Sequence, residues 1–535
     1  MRRREFLAIG GGALLAARSA RAAQGHVEVF VDEPIGTISP NLHGHLTEHV
    51  GGVIYDGIWV GENSKIPNIG GIRTALVEAM RRINPPVVRW PGGCFADSYN
   101  WRDGIGPRAQ RPRRANVSMN HPFMVKAPDG PQKYEPNWFG TNEFMRFCRL
   151  IGAQPYLAAN LRSLPPQDFY QWVEYCNAPA GLSSLADLRA AQGDRDPFGV
   201  RFWGVGNESW GCGGDFAPDE YAVEYRRYTT WLPEFGVDLA LIASGPDRGD
   251  LDWTQRFFAK LTEKGKDMLQ RVYGWALHYY CGTSGAGQAI DFTTDDWYSL
   301  LAKATHMESL ISKHWSAMGE IDTGHHVKLV VDEWGAWHRT GTEVHPAYLF
   351  GQTSTMRDAL ISALTLDIFH RHADKVAMSN VAQLVNNLHS LFLAREDQFI
   401  VTPNYHVFSL YAAHQGAQAV RTLFAAPAHS VREKQERWSV AGLAGSASLR
   451  GKTLVLTAVN TDAEQPLETE IVLRGAAARS AQASALAHPD IHAHNTFSSP
   501  DVVQVRAETI EARGSAFTYR FPPASVNKLV LELGS

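Results

Sequence analysis

Two glutamates stand at the ends of apolar runs that are typical of buried strands. Glu208 follows the aromatic and β-branched run 202–205, and Glu333 follows the apolar run 329–331. Such runs predict strands in the core of a parallel α/β protein. In that architecture chemistry takes place at the C-terminal strand ends, because the core fixes each strand and the following loop leaves room for a ligand. If the fold brings the two glutamates together, they form the carboxylate pair that glycosidic bond cleavage requires.

Other polar side chains are predicted at further strand ends. They are Arg89 before a glycine turn, Asn207 next to Glu208, His278 and Tyr280 after one run, and Gln383 after the last run. A cleft lined by these side chains would offer many directional hydrogen bonds, which suits a polyhydroxylated ligand. Phosphate is not favoured, because the sequence has no P-loop and its Gly-Gly pairs lack the strand–GxGxxG–helix context.

The strands that would carry these residues alternate with segments of helical periodicity. Strands are predicted near 39–46, 86–90, 154–160, 201–207, 238–244, 272–280, 327–333 and 376–384. Helices are predicted between them, for example at 141–150 and 296–317. Eight β/α units predict an α/β fold, a (β/α)8 TIM barrel with extended loops. A doubly wound sheet is the competing interpretation.

The chain beyond residue 415 has a different pattern. Short alternating runs, separated by glycine, proline and asparagine, occur at 431–449, 453–460, 469–473, 502–506 and 527–533. They predict a C-terminal antiparallel β-sandwich domain with a jelly-roll-like form. We therefore predict a catalytic barrel over 41–414, a β-sandwich over 415–535, and an N-terminal strand within 24–40 that joins the sandwich.

Length and composition describe an ordinary soluble globular protein. A chain of 535 residues is too long for one compact core and indicates two domains. The hydrophobic content of 44% and the charged content of 20% are typical of globular proteins. The net charge of −4 gives no electrostatic reason to expect nucleic acid as a partner. No segment is long and apolar enough to predict a stable membrane span.

The first 23 residues resemble an export signal. Arg3-Arg4-x-Phe6-Leu7 is similar to the twin-arginine motif, and Ala20-Arg21-Ala22 supplies an A-x-A cleavage site. The prediction is a signal peptide over 1–23 and a periplasmic or secreted protein. The five cysteines are an odd number without zinc-site spacing. Free thiols fit twin-arginine export, which follows folding in the cytosol, and the sequence leaves room for one or two disulfides.

Three patterns have two interpretations each. The series His43-x-His45-x-x-x-His49 could bind a metal, but no further carboxylate stands at an obvious ligand spacing, and cleft or structural histidines are favoured. Cys212 could be a nucleophile, but its glycine-rich loop directly follows the Glu208 strand, which favours loop shaping. The basic run 108–114 is expected in a solvated surface loop. We predict no metal and no cofactor.

Several motifs resemble those of glycoside hydrolase family 51, the α-L-arabinofuranosidases of a clan built on (β/α)8 barrels. The matching stretches follow the family's order from about residue 40 to 410, and a C-terminal β domain comes after them. The stretches are VVRWPGGCF at 87–95 with YNWRDGIGP at 99–107, FWGVGNE at 202–208, VDEW at 331–334, and NVAQLVN at 380–386 with TPNYHVF at 402–408.

This resemblance implies a retaining mechanism with Glu208 as general acid/base and Glu333 as nucleophile. Glu208 would then hold a proton near neutral pH while Glu333 stays ionised. The resemblance further implies sugar contacts or positioning roles at Glu48, Arg89, Asn207, His278, Tyr280 and Gln383. Many family members have asparagine where this chain has Cys94, so Cys94 is a candidate substrate contact whose thiol donates hydrogen bonds poorly.

The function expected from the resemblance is exo-acting release of terminal α-L-arabinofuranosyl residues from arabinoxylan, arabinan or their oligosaccharides. One alternative is an endo-β-glucanase or β-xylosidase-like hydrolase on the same barrel. Another is a carbohydrate-binding protein without catalysis, against which both glutamates argue. The expected partner is the arabinose-containing substrate, and the resemblance implies a homo-oligomer, a trimer or a hexamer.

Overall fold

The computed structural model describes residues 24–120, 134–281 and 285–534, without the side chains of residues 119 and 120. The signal segment predicted over 1–23 lies outside these residues. Within the described ranges, none of the helices combines the length and the apolar character needed to traverse a lipid bilayer.

Eight parallel strands close into a barrel in chain order. We call them the first to eighth barrel strands: Gly44–Leu46, Val87–Trp90, Gln154–Ala159, Phe202–Val205, Ala240–Ala243, Gly274–Tyr280, Lys328–Gly335 and Val376–Val381. The eighth strand pairs with the first, Asn380 opposite Gly44. This closure confirms the predicted barrel and excludes the doubly wound sheet. The first strand is shorter than predicted, because a 3-10 helix, Pro40–His43, precedes it.

Helices surround the barrel close to the predicted positions. Their bounds are Thr74–Ile83, Val117–Asn120, Thr141–Ile151, Pro166–Asn177, Ser184–Ala191, Pro218–Thr229, Leu251–Thr262, Thr294–Thr305, Met307–Gly319, Met356–Arg371 and Pro403–Tyr411. The helix predicted over 296–317 is two helices separated by His306. The first of them starts with a capping box in which Thr293 and Asp296 exchange hydrogen bonds. Further 3-10 turns lie at Ala96–Ser98, Trp101–Gly104, Arg108–Gln110, Lys266–Arg271 and Ala412–His414.

The second domain is a nine-stranded sheet that includes the N-terminal strand. In spatial order its strands are Val505–Ile510, Ala478–Ala487, Ser525–Leu533, Thr453–Asn460, Leu443–Arg450, Gln418–Ala425, Gly25–Thr37, Leu467–Arg474 and Ala516–Phe521. All pairings are antiparallel except that of Gly25–Thr37 with Leu467–Arg474. Side chains from distant strands, such as Val27, Leu456 and Phe521, share one apolar core. The sheet therefore encloses its core as a sandwich does.

The strand Ala478–Ala487 was not predicted from the sequence. Its ten residues are mostly alanine and serine, which have little strand propensity and do not alternate clearly. The strand is specified by its neighbours, since it pairs with both Val505–Ile510 and Ser525–Leu533. The described residues also form four two-stranded ribbons: Asn68–Ile69 with Ile72–Arg73, Arg114–Ala115 with Tyr134–Glu135, Phe392–Arg395 with Gln398–Val401, and Ala428–Glu433 with Glu436–Ala441.

Apolar side chains fill one end of the barrel and leave the other end to polar groups. One buried cluster joins Val87, Phe202, Ala240, Val330 and Met378, which lie in the first half of their strands. Charged residues lie at or just beyond the C-terminal ends of three of these strands: Arg89, Glu208 and Glu333. The packed layer fixes the strands, so these side chains project from a rigid base.

Candidate active site

The closed barrel brings Glu208 and Glu333 together. A carboxylate oxygen of Glu208 and one of Glu333 lie within 4.8 Å of each other, with a ring nitrogen of His278 equally close. Glu208 follows the fourth strand through Gly206 at φ 88° and itself adopts φ 39°, a left-handed conformation that costs energy for a non-glycine residue. This turn directs Glu208 toward the seventh strand, which carries Glu333.

Arg89 and Tyr280 hold the Glu333 carboxylate from two sides. Arg89 donates from Nη1 to Oε1 of Glu333 across 2.7 Å, and Tyr280 donates to Oε2 across 2.8 Å. The same guanidinium donates from Nη2 to Oδ1 of Asn207 at 2.6 Å, and its Nε lies 3.4 Å from Oδ2 of Asp332. Burial would lower the pKa of Arg89, but the charges of Asp332 and Glu333 outweigh it, so the pKa is raised. Arg89 is therefore a permanent cation at the floor of the cleft.

His278 links three carboxylates. Its Nδ1 lies 2.9 Å from Oε1 of Glu208 and 3.6 Å from Oε2 of Glu333, and its Nε2 lies 3.0 Å from Oδ1 of Asp332. Burial alone would lower the pKa of His278, but the negative charges of Glu333 and Asp332 raise it well above the ordinary value. The imidazole is thus held in its charged form, with both ring nitrogens donating.

Asp332 is a site residue that the sequence analysis missed. It donates nothing itself but accepts from Tyr156 at 2.8 Å and from His278, and the charges of Arg89 and His278 lower its pKa against the effect of burial. Neighbouring residues of a regular strand face opposite sides, whereas Asp332 and Glu333 both contact Arg89. A break in pairing register between 331 and 334 accounts for this. The sequence signal that could have identified Asp332 as a site residue is a carboxylate within an otherwise apolar strand.

Glu48 and Gln383 lie side by side near Glu333. Oε1 of Glu48 accepts from the backbone N–H of Phe95 at 3.0 Å, and Oε2 accepts from Nε2 of Gln383 at 2.8 Å. Burial and then the charge of Glu333 raise the pKa of Glu48 from 4.5 to about 7. Gly93 is required here, because a Cβ at this position would lie 2.8 Å from Oε1 of Glu333.

Cys94 and Cys212 form a disulfide beside Glu208. The sulfur of Cys212 lies 3.6 Å and that of Cys94 3.8 Å from Oε2 of Glu208. The alternative of Cys212 as a nucleophile is therefore excluded, because its sulfur carries no free thiol. Cys94 lies beside Glu208, but its sulfur is part of the disulfide and carries no hydrogen to donate. Because Cys94 and Cys212 lie far apart in the sequence, the spacing rules that apply to nearby cysteines do not predict that they pair.

The three histidines of the His43–His49 series have different neighbours: His43 contacts His370, and His45 packs against Phe408. His49 contacts Oε2 of Glu135 through Nδ1 at 2.8 Å and accepts from Trp90 through Nε2 at 3.0 Å. His43 and His45 are buried, and burial lowers their pKa values to about 4 and about 3. In the described part of the chain these residues share no metal-sized cluster. The structural interpretation is therefore the better one.

The basic run 108–114 is less solvated than predicted. The side chain of Arg111 is only 3% exposed and pairs with Glu143 at 3.0 Å. Arg108 pairs with the same carboxylate at 2.9 Å. The loop is thus attached to the helix Thr141–Ile151, whose first turn contains Glu143.

Comparisons with known proteins decide the family. A model described as "Alpha-L-arabinofuranosidase 1 domain" matches residues 79–285, and one described as "Alpha-L-arabinofuranosidase C-terminal domain" matches residues 332–525. An "Intracellular exo-alpha-L-arabinofuranosidase" of Bacteroides ovatus is 34% identical over 97% of this chain and 98% of its own length. The chain belongs to glycoside hydrolase family 51.

Solved structures of family 51 agree with the fold described above. The GH51 arabinofuranosidase of Xanthomonas axonopodis pv. citri has a TM-score of 0.87 and 34% identity, covering 95% of this chain and 100% of that one. An α-L-arabinofuranosidase of Thermotoga maritima, in an arabinose complex, has a TM-score of 0.82 and 30% identity with the same coverage. The barrel and the β domain are therefore both family 51 features.

The prediction of an exported protein is contradicted by these relatives. The Bacteroides ovatus relative is named intracellular, and so is a Bacillus subtilis relative that is 26% identical over 93% of this chain and 97% of its own length. The comparison therefore points away from the periplasm. The prediction rested on Arg3, Arg4 and a few small residues, a pattern short enough to arise in a basic N-terminal segment.

Proposed function

We propose that this family 51 chain is an exo-acting α-L-arabinofuranosidase that hydrolyses terminal α-L-arabinofuranosyl groups of arabinoxylan, arabinan and their oligosaccharides. The observation that carries the chemistry is the distance of at most 4.8 Å between oxygens of Glu208 and Glu333. Retaining glycosidases place their carboxyl groups about 5–5.5 Å apart, whereas inverting enzymes need about 6.5–9.5 Å for an intervening water. The geometry supports retention of configuration.

In the proposed first step, Glu333 attacks the anomeric carbon while Glu208 gives its proton to the leaving glycosidic oxygen. A covalent arabinosyl–Glu333 ester results. In the second step, Glu208 takes a proton from water, which attacks the same carbon and releases arabinose. The nucleophilic role is assigned to Glu333 because Arg89 and Tyr280 both donate hydrogen bonds to its carboxylate and orient it. Proton transfer is therefore assigned to Glu208.

The groups around the pair have positioning roles in this proposal. Arg89 orients Glu333 and Asn207 together, because one planar guanidinium donates to both. His278 donates to Oε1 of Glu208, so the transferable proton is placed on Oε2, on the side of the disulfide. Asp332 fixes the other nitrogen of the imidazole and so sets its orientation.

Sugar contacts are assigned to the remaining side chains of the cleft. Asn207 is held by Arg89 beside Glu208 and would bind the 2-hydroxyl group, where the contact strengthens in the transition state. Glu48 and Gln383 form a hydrogen-bonded pair that would take the more distant hydroxyl groups. Cys94 would shape the wall of the cleft through its disulfide rather than donate to the sugar.

We assign residues 41–414 to the catalytic barrel and 24–40 with 415–535 to the β domain. The trimer or hexamer implied by the family resemblance stays a prediction, which light scattering coupled to gel filtration would test.

The test is hydrolysis of p-nitrophenyl α-L-arabinofuranoside by the wild type, Glu333→Ala and Glu208→Ala. Each variant is expected to lose at least about 10²–10³-fold in kcat/KM, with azide rescuing Glu208→Ala as an arabinosyl azide of retained configuration. Glu436→Ala, an exposed glutamate in the β domain, is the control and should behave as the wild type. Wild-type activity in either active-site variant would refute the assigned pair. A wild type inactive on this substrate but active on a β-glucan would refute the assignment of arabinofuranose as the sugar that is released.

A further inference from the structure

A second cavity opens among the loops that leave the C-terminal end of the barrel. Its volume is about 350 Å³, within the range of small-ligand sites. Aromatic side chains make up much of its wall: Tyr55, Trp59, Tyr134, Trp138 and Tyr348. None of these residues takes part in the chemistry assigned above.

Two of the aromatic rings are displayed to solvent. Trp138 is 48% exposed and Tyr134 is 37% exposed, although both are large apolar groups. Trp138 meets Tyr55 edge to face with ring centroids 6.3 Å apart, so the two rings form a corner of the cavity. Exposed aromatic surface next to a cavity indicates a binding surface, because the free energy falls when a ligand covers an aromatic ring that is otherwise in contact with water.

The backbone that carries these rings is firmly held. The N–H of Asn137 donates to Oε1 of Glu135 at 2.7 Å, and the carbonyl of Trp138 accepts from Nε of Arg108 at 3.1 Å. Tyr134 is paired with Ala115 in a two-stranded ribbon. The exposure of the rings is therefore a property of an ordered loop. A preorganised ring loses little conformational entropy when a ligand stacks on it.

Glu135 connects this cavity to the catalytic cleft. It is 3% exposed, and its Oε1 accepts from the hydroxyl of Tyr55 in the cavity wall. Its Oε2 lies 2.8 Å from Nδ1 of His49, the residue next to Glu48. The buried carboxylate of Glu135 thus holds both Tyr55 in the cavity wall and His49, which is next to Glu48 in the sequence. The cavity and the catalytic cleft are both built from loops at the C-terminal end of the barrel, and Glu135 and His49 link their walls.

The polar groups of the cavity suit a neutral, hydroxyl-rich ligand. Asp56, Arg395 and Glu396 lie on its rim, so charges of both signs are present and no single-sign field selects an ion. Asp56 accepts from the hydroxyl of Tyr348 and from the N–H of Glu396 at 3.0 Å, which fixes the rim in place. Sugars combine apolar C–H faces with hydroxyl groups and match such a mixture of rings and hydrogen-bonding groups.

We propose that this cavity is a distal glycan subsite that holds a sugar unit of the polysaccharide whose terminal arabinofuranosyl group occupies the catalytic cleft. The inference rests on the proposed function for the identity of that polysaccharide. The subsite would add affinity for polymers and long oligosaccharides and none for a substrate with a single sugar.

The test compares Trp138→Ala with the wild type on two substrates. With p-nitrophenyl α-L-arabinofuranoside, kcat/KM is expected to stay within about twofold of the wild type, because one sugar does not reach the subsite. With debranched arabinan or arabinoxylan, KM is expected to rise about tenfold, the loss that corresponds to one aromatic contact. Trp138→Tyr keeps an aromatic ring on the same backbone and should recover part of the loss.

Trp231→Ala is the matched control, since Trp231 is 93% exposed and does not line the cavity. Gel mobility in the presence of arabinan, measured in a Glu333→Gln background, reports binding without turnover and should be less retarded for Trp138→Ala. Equal polymer KM and equal retardation for Trp138→Ala and the wild type would overturn the subsite. A wild type without activity on the small arabinofuranoside would instead refute the proposed function, which separates the two failures.

Discussion

Arg89 donates from Nη1 to Oε1 of Glu333 across 2.7 Å, joining the end of the second barrel strand to the end of the seventh. Arg89 is 1% exposed, so this contact lies in a region with little water. A buried ion pair is costly to break, because removing one partner leaves the other charge unpaired. The contact therefore fixes the position and the charge of the proposed nucleophile at once.

Arg89→Lys is expected to reduce kcat/KM on p-nitrophenyl α-L-arabinofuranoside by about 10²–10³-fold, because a lysine cannot donate to Glu333 and Asn207 together. The positive charge is kept, so the change tests geometry more than charge. Arg201→Lys, a change at a side chain that is 40% exposed, serves as the control. A loss below about threefold would contradict the orienting role.

Glu48→Gln is expected to stabilise the protein increasingly as the pH rises from 4.5 to about 7. The pKa of Glu48 is raised to about 7 in the folded protein, above its ordinary value of 4.5, so ionisation favours the unfolded chain over this pH window. The expected gain at pH 8 is at most roughly 3 kcal/mol in the free energy of unfolding. Gln383 can accommodate the new amide, since its Oε1 has no hydrogen-bond partner.

Differential scanning calorimetry of both proteins between pH 4.5 and 8 measures this effect, with Glu436→Gln as the exposed control. Activity is expected to fall in the same Glu48→Gln variant, because the residue is assigned to the sugar. A Tm difference that does not change with pH would show that the pKa of Glu48 is the same in the folded and unfolded chain, and so is not raised by burial.

A buried histidine cluster should make the protein sensitive to acid. His370 contacts His43 at 3.3 Å between the ring nitrogens, and His414 packs against His370 with ring centroids 4.6 Å apart. Burial lowers the pKa of His43 to about 4 and that of His414 to about 3, from 6.5. Because these folded values lie below the unfolded one, their contribution to stability is complete above pH 6.5 and is lost as the pH falls toward 3–4.

His414→Gln should therefore show a shallower fall of the unfolding free energy below pH 6.5, by up to about 1.4 kcal/mol per pH unit. Urea titrations at pH 7, 6, 5 and 4.5 provide the measurement. His326→Gln, at a side chain that is 71% exposed, should retain the wild-type slope. Identical slopes for His414→Gln and the wild type would rule out the cluster as the acid-sensitive element.

Reduction of the Cys94–Cys212 disulfide is expected to lower both stability and activity. The bond closes a loop of 118 residues in sequence and holds the chain beside Glu208, with the Cys212 sulfur 3.6 Å from Oε2. Its loss should cost about 2–4 kcal/mol in the free energy of unfolding. Glu208 would then be less firmly placed, which should reduce kcat.

Thermal unfolding and kinetics with and without dithiothreitol measure the effect. Thiol titration of the unfolded chain should rise from three free cysteines, Cys148, Cys176 and Cys281, to all five. The double variant Cys94→Ala, Cys212→Ala should be indifferent to dithiothreitol. A wild type whose Tm and kcat stay constant after the two extra thiols appear would contradict a structural role for the bond.

The barrel and its main carboxylates were predictable because the signals are local. Runs such as 202–205 and 329–331 have the composition of buried strands, and Glu208 and Glu333 follow them within three residues. The β domain was less predictable, since the strand Ala478–Ala487 owes its conformation to its two neighbours rather than to its own residues.

The sequence by itself determined the order of the strands along the chain, the chemical types at their ends and, through the family motifs, the expectation of a hydrolase with two catalytic glutamates. Only the tertiary structure decided which of these side chains meet. The register break that turns Asp332 and Glu333 toward Arg89, and the closure that joins Cys94 to Cys212, depend on contacts between residues far apart in the chain. Distances across a barrel follow from strand number and packing, which no local pattern of residues encodes.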